Sequence, residues 1–291
     1  MILKRVVGVF RSGGISAVLG AVVRRLRMPY ARTFAAAREV VTGKRGIEIG
    51  GPSAIFARGG LLPVYPLAER VDNVNFASAT LWEGAIREGD SFVFHPGKAP
   101  GRQFIAEGAD LKGVPTGAYD FVLSSHTLEH TADPLRALAG WKVLLRPGGT
   151  LILIVPHRDG TFDHRRPVTT LAHLREDHAQ QMGEDDLTHL PEILELHDLA
   201  RDPGVTDAAA FRARALRNAE VRSLHHHVFD SRLAVEVVTE AGLVPVSVEP
   251  LEPYHIIVLA EAPRTDAPSA PLAPAELDEV LRTSPFPTDR P

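Results

Sequence analysis

From Gly46 onward, short and wholly apolar runs recur along the chain, several of them followed by stretches with helical spacing. Strands are expected at 46–50, 68–74, 119–124, 149–155, 243–249 and 254–262, and helices at 131–145 and 231–241. Runs that stay apolar rather than alternating suit strands buried on both faces, as in a parallel sheet flanked by helices. Gly148-Gly149 and Gly242 stand where helix-terminating glycines belong, ahead of TLILIVP and LVPVSVEP. The last two strands are separated only by Pro250 to Pro253, which predicts an antiparallel hairpin at a sheet edge. Together these features predict an α/β fold built on a mostly parallel sheet.

Three segments break the rhythm. Residues 1–45 read as a helical cap of two helices split near Met28-Pro29, and the apolar run Ile15 to Val23 is too short to span a bilayer. Residues 157–230 hold most of the thirteen histidines and follow the strand that ends at Pro156. Ligands of open α/β sheets bind beyond the carboxyl ends of the strands, so this insert is placed to build an acceptor pocket or lid. Residues 264–291 are rich in Pro and Ala with one helical stretch, Ala273 to Leu281, and are expected to form a loosely attached tail. The expected organisation is therefore a basic cap at 1–45, a core domain at 46–263 containing the insert, and the tail.

Composition narrows the function. With 44% hydrophobic and 23% charged residues among 291, the chain is an ordinary globular protein. It has no cysteine, which excludes disulfides, thiolate metal sites and cysteine nucleophiles. The net charge of −4 conceals an asymmetry: residues 1–45 carry ten Lys and Arg against one acid, Glu39. A nucleic-acid partner is disfavoured, because basic charge is confined to the leader instead of lining a cleft. The leader itself has two readings, a solvated helical cap or a basic amphipathic helix on anionic lipid, of which the cap is the commoner arrangement. A cytoplasmic protein is expected, with membrane contact at most peripheral and at the inner face.

Candidate chemistry centres on GIEIGGPS, Gly46 to Ser53, a short buried strand that breaks into Gly50, Gly51 and Pro52. Glycine lets backbone approach a ligand, and Glu48 within the strand would repel a phosphate but favour a positive centre. Asp72, in RVDNVNF, lies 24 residues beyond Glu48 and is placed to accept from ribose hydroxyls. Three further stretches follow in order: GADLKGVPTGAYDFVLSSHTLEHTADP, LLRPGGTLILIVP and the two final strands.

This series resembles the class I S-adenosylmethionine-dependent methyltransferases, in particular the type 11 group, over about 46–263. The family's glycine loop usually reads E/D-x-G-x-G-x-G, whereas here Gly50 and Gly51 are adjacent. The resemblance implies a Rossmann-like fold with a mostly parallel seven-stranded sheet, an antiparallel edge hairpin, a helical N-terminal cap and an insert after the fifth strand. It also implies that S-adenosylmethionine is held by Glu48, Gly50, Gly51, Pro52, Ser53, Asp72, Asn73, Asp110, Leu111, Ser125 and His126. Asp110 would accept from the adenine amino group, with the Leu111 amide close by.

If the methyl acceptor is an alcohol, a base must take its proton, and histidine is the usual choice. His157, directly after the fifth strand, is the expected base. The insert resembles bacterial methyltransferases of saccharide modification, which makes a saccharide or small-molecule hydroxyl the expected acceptor. His130, Asp163, His164, Arg165, His226 and His227 are its candidate contacts. His225, His226 and His227 cannot all face one pocket from a strand. Asp186 and His189, three apart, are candidate ligands for Mg²⁺, weighed equally against solvated helix-start charges. The rival readings are a natural-product O- or N-methyltransferase, a methyltransferase of a lipid-linked acceptor, and a degenerate fold serving as a scaffold.

Overall fold

The computed structural model describes residues 30–81, 83–202, 204–205, 207–264 and 270–291. The first of the expected leader helices, ahead of Met28-Pro29, and the run Ile15 to Val23 lie outside the described residues. The described residues open on helix α1 (Phe34–Val41), the second of the expected leader helices, whose Ala37 and Val41 are buried. Strands β1 (Arg45–Ile49) and β2 (Arg70–Asn75) follow, then the short pair β3 (Ala79–Thr80) and β4 (Gly84–Ala85), then β5 (Gly89–Phe92), β6 (Gly101–Ile105) and β7 (Tyr119–Ser125). Helix α2 (Pro134–Leu144) leads into β8 (Leu145–Pro156). The insert carries α3 (Leu171–Gln180), α4 (Leu190–Leu196), α5 (Ala208–Ala215) and α6 (Asn218–Val221). The chain ends with α7 (Ser231–Glu240), β9 (Val244–Leu251), β10 (His255–Glu261) and α8 (Pro274–Thr283).

One sheet of eight strands, ordered β5-β6-β2-β1-β7-β8-β10-β9, forms the centre. Pairing is parallel from β6 through β8, and antiparallel where β10 joins β8 and β9 and where β5 joins β6. This is the expected mixed, mostly parallel sheet with an antiparallel hairpin at its edge. Strand order reverses between β1 and β7, so the crevice above their carboxyl ends is the natural ligand site. The sheet has one strand more than expected, because the pieces between 89 and 105 join its far edge.

The two faces are covered differently. α2 and α7 bury Leu135, Leu138, Trp141, Leu233, Val237 and Val238 against one face. α2 starts with the Asp133 carboxylate accepting from the Arg136 amide at 2.9 Å and Pro134 in the first turn. The other face is covered by α1 and by the irregular chain from Gly50 to Glu69, whose prolines and glycines preclude a helix. That segment plugs the sheet with Phe56, Leu62, Val64 and Tyr65, all buried. Consequently no helix N-terminus follows the glycine turn.

The C-terminal segment corrects the expectation of a loose tail. α8 buries Leu281, and Phe286 and Asp289 dock beyond it. The Asp289 carboxylate accepts from the Ser231 amide (2.9 Å) and hydroxyl (2.7 Å), the Ser284 hydroxyl (2.6 Å) and His157 Nε2 (3.1 Å). Burial alone would raise its pKa, but the hydrogen bonds from His157, Ser284 and Ser231 outweigh it and hold the carboxyl below its usual range. Among the described residues no helix is long and apolar enough to cross a membrane.

Removing a hydrogen-bonded buried charge leaves its partners unpaired, so Asp289→Ala should destabilise the fold by about 3 kcal/mol in urea titration at neutral pH. Because the folded pKa of Asp289 is depressed, its contribution is present above the unfolded value and is lost as pH falls through the folded one. The gap between wild type and variant should therefore close in acid.

Candidate functional site

The glycine turn is held from below by side chains of β2. Gly50 has φ +85°, and a Cβ there would lie 2.4 Å from Thr127 Oγ1. Asn73 grips the next residue on both sides, its Oδ1 accepting from the Gly51 amide at 3.0 Å and its Nδ2 donating to the Gly51 carbonyl at 3.1 Å. Asn75 Nδ2 donates to the same carbonyl at 3.2 Å, and Gln103 Nε2 donates to Asn75 Oδ1 at 2.9 Å. Buried amides thus fix a turn that a following helix would otherwise hold.

Glu48 is turned inward, under the glycine turn. Its carboxylate accepts from the Tyr65 hydroxyl and, at 3.1 Å, from the Ser53 amide, and it closes over Gly51, where a Cβ would fall 1.9 Å from Oε2. Burial pushes its pKa up to about 7, against the lowering effect of hydrogen bonds from Ser53 and Tyr65. Glu48 therefore buttresses the turn instead of contacting a cofactor cation. Asp72 is corrected likewise: it is the third residue of β2, not its end. It accepts from Arg70 Nε (2.7 Å), the Arg102 amide (2.8 Å) and the Tyr119 hydroxyl (3.1 Å). Asn75 occupies the carboxyl end of β2.

Above the carboxyl ends of β1, β2, β6 and β7 lies a cleft. Gly50 and Thr127 form its floor, Phe76, Ala106 and Ala109 supply apolar wall, and Glu83 and Glu107 bring carboxylates. Its one described guanidinium, Arg222 from the insert, is ion-paired to Glu107 and Glu184 at 2.7 Å each and lies over the Phe76 ring. A phosphate would meet carboxylates here, whereas a cationic adenosyl sulfonium finds a flat apolar wall and compensating negative charge. The residues present fit S-adenosylmethionine, with Gly50, Asn75, Phe76, Glu83, Glu107 and His126 the groups that would hold it. Asp110 and Leu111 do not join them. Asp110 pairs with Lys112 at 3.0 Å on a neighbouring depression, and the Leu111 amide is spent on the Glu107 carbonyl at 2.9 Å.

A second cavity, open to solvent, lies on the other side of His126 and is lined by Ser53, Gly60, Ser125, Tyr254 and His255. His126 has φ +53°, and this bend directly after β7 places its ring between the two spaces. Its Nε2 lies 3.0 Å from His255 Nδ1, and its Nδ1 lies 3.5 Å from Glu129 Oε1. Burial, followed by the charge of His126, pushes the His255 pKa down to about 3. Glu129 is fully buried, and its pKa nevertheless lies below the usual carboxylate range, because the His126 hydrogen bond and the charges of His130, His126 and His225 outweigh burial. His130 also lines the first cleft, with Nδ1 2.8 Å from the Leu224 carbonyl oxygen and its pKa lowered to about 4 by burial.

His157 is not the base. It is fully buried, its Nδ1 accepts from the Asp159 amide at 3.1 Å, its Nε2 faces Asp289, and its ring stacks on Phe286 at 4.0 Å. No lone pair remains for an acceptor proton. Sequence reasoning missed Glu129, His255, Tyr254, Phe76 and Arg222. The expected hairpin did hold the signal for His255, since a strand antiparallel to β8 must start beside that strand's carboxyl end, and His255 pairs with Pro156.

The expected acceptor contacts of the insert mostly serve the insert itself. Asp163 binds Arg166 (3.0 Å) and His225 (2.5 Å) and is held below its usual pKa because these cations outweigh burial. His164 and the exposed Arg165 pair with Asp198 at 2.9 and 3.4 Å. His226 and His227 are buried away from both cavities, with His226 near 3 through burial and His227 lowered well below the ordinary value by the same cause. Asp186 Oδ2 lies 3.3 Å from His189 Nδ1, but the surrounding donors are imidazoles, a set that does not suit Mg²⁺.

Residues 24–248 match a family model described as a methyltransferase domain. Similar solved structures include an S-adenosylmethionine-dependent methyltransferase from Aquifex aeolicus, 12% identical over 82% of this chain and 92% of that one, with a TM-score of 0.44. Proteins so described from Methanosarcina mazei and Mesorhizobium loti are each 15% identical over 79% of this chain and 98% of theirs, with TM-scores of 0.45 and 0.44. No curated protein matches.

Because the folded pKa of Glu48 is raised from 4.5 to about 7, its burial stabilises the fold fully below the unfolded value and less as pH rises through 7. Glu48→Gln should remove that slope. Chemical denaturation between pH 5 and 8 should show wild type losing up to about 3 kcal/mol relative to the variant.

Proposed function

Because the chain belongs to the methyltransferase domain family, as an S-adenosylmethionine-dependent enzyme of EC 2.1.1, we propose that it methylates a hydroxyl oxygen of a saccharide-type acceptor with His255 and His126 as its base. The observation that carries this reading is the 3.0 Å imidazole pair standing between the cofactor cleft and the second cavity. Polar groups of Ser53, Ser125 and His255 line that cavity beside the exposed ring of Tyr254, a combination suited to hydroxyls on a sugar ring.

S-adenosylmethionine, when bound, supplies a methyl group already activated on a sulfonium. The protein's task is to position the acceptor oxygen and receive its proton. His255 is neutral at physiological pH, because burial holds its pKa at about 3. In the tautomer whose Nδ1–H donates to His126 Nε2, its Nε2 lone pair is directed elsewhere and is free to take the acceptor proton. The charge that forms is then shared along His255, His126 and Glu129, where the buried carboxylate stabilises it. Arg222 and Glu184 cover the cofactor cleft from the insert and limit water there.

His255→Gln and His126→Gln should each lower kcat by about 10²–10⁴-fold at neutral pH, and His255→Gln, whose residue lies outside the cofactor cleft, should leave S-adenosylhomocysteine affinity within a few-fold. A screen of sugars, lipid-linked sugars, phenols and amines against S-adenosylmethionine tests the acceptor class. Turnover with sugars is the expected result. Turnover confined to amines, or undiminished in both variants, would remove this reading.

A further inference from the structure

The geometry points to a structural site for a zinc-class divalent cation inside the insert, formed by His173, Asp177, His189 and His227. One ligand atom from each of these side chains lies within 4.8 Å of the other three. His173 and Asp177 are one turn apart on α3, so they share a face. His189 directly precedes α4, and His227 comes from the segment before α7.

The separations are those of a ligand cluster, with the Ala132 carbonyl also 3.3 Å from His227 Nε2. His173 Nε2 is 2.8 Å from His189 Nε2 and 3.3 Å from Asp177 Oδ2, and His227 Nε2 is 3.7 Å from the same oxygen. Ligand atoms about 2.0–2.1 Å from a tetrahedral zinc stand about 3.3 Å apart, close to this spacing. Asp177 is 4% exposed, and its Oδ2, which faces the histidines, has no hydrogen-bond partner among the described residues. Such an oxygen is costly to bury unless something binds it. His189 is oriented from behind, its Nδ1 lying 3.3 Å from Asp186 Oδ2, the carboxylate–histidine arrangement that steers metal-bound imidazoles. Three imidazoles and one carboxylate select a borderline transition ion, not Mg²⁺.

Four protein ligands would complete a tetrahedron, so the ion clamps and does not catalyse. It joins α3, the start of α4 and the chain beside His226, which together position Glu184 and Arg222 over the cofactor cleft.

The test uses full-length protein without a polyhistidine tag. After chelation and dialysis against Zn²⁺, elemental mass spectrometry should find one zinc per chain, and Zn²⁺ but not Mg²⁺ should raise the melting temperature. Cobalt loading should give the intense visible absorption of a tetrahedral site. His173→Gln, at the exposed side of the cluster, and Asp177→Asn should lose stoichiometric metal. Asp186→Asn should weaken retention by about 10–100-fold. Circular dichroism of each variant separates metal loss from unfolding. Failure of the wild type to hold one equivalent, or equal retention by both folded ligand variants, would overturn the proposal.

Discussion

The buried carboxylate of Glu129 links the parts of this molecule that matter for chemistry. It is fully enclosed, and an isolated charge there would be untenable. Three imidazoles surround it: His126 Nδ1 at 3.5 Å, His130 Nε2 at 3.8 Å and His225 Nε2 at 4.0 Å. The first two rings line the cofactor cleft, and the third belongs to the insert. Its backbone carbonyl also accepts from the His226 amide at 2.8 Å. The negative charge thus requires the insert to be seated, and the seated insert brings Arg222 and Glu184 over the cleft. Asp163 and Arg166 repeat the principle one layer out, compensating each other while holding His225 and the carbonyls around it.

The fold reaches this arrangement without helices on much of one side. Between β1 and β2 the chain is irregular and plugs the sheet with aromatic side chains, so no helix dipole faces the ligand. Amides of Asn73, Asn75 and Gln103 take over the work of holding the glycine turn. That substitution explains why Glu48 is turned inward: the tightened Gly50-Gly51 loop brings backbone to the carboxylate, and Tyr65 from the plug completes the enclosure.

The central strands were legible in the sequence because strands buried on both faces must be continuously apolar, and the LLRPGGTLILIVP and GIEIGGPS runs leave little else to choose. β6 was not legible. Its GRQFI segment looks polar, and it is buried because Gln103 finds amide partners 28 and 30 residues away. The cofactor acids show where spacing misleads: Asp72 sits at a familiar interval from Glu48, yet β2 runs on past it to Asn75, and Arg70 and Tyr119 take up its oxygens. His157 failed as a base for a reason no local pattern carries, since its partner Asp289 lies 132 residues further on, in a segment whose composition suggested no fixed structure. His255 was missed because its role depends on register across β8 and β10. The stretch Thr127 to His130 offered His130 as a candidate contact, whereas the residue that organises the site is its neighbour Glu129.

In the proposed mechanism the cleft above β1, β2 and β7 holds the cofactor, and His126 separates it from the acceptor space. A crystal structure with S-adenosylhomocysteine tests this most directly. The adenine should lie against Phe76, Ala106 and Ala109, with the sulfur directed toward His126 and the cavity containing His255. A nucleoside bound elsewhere, or a sulfur directed away from His126, would contradict it.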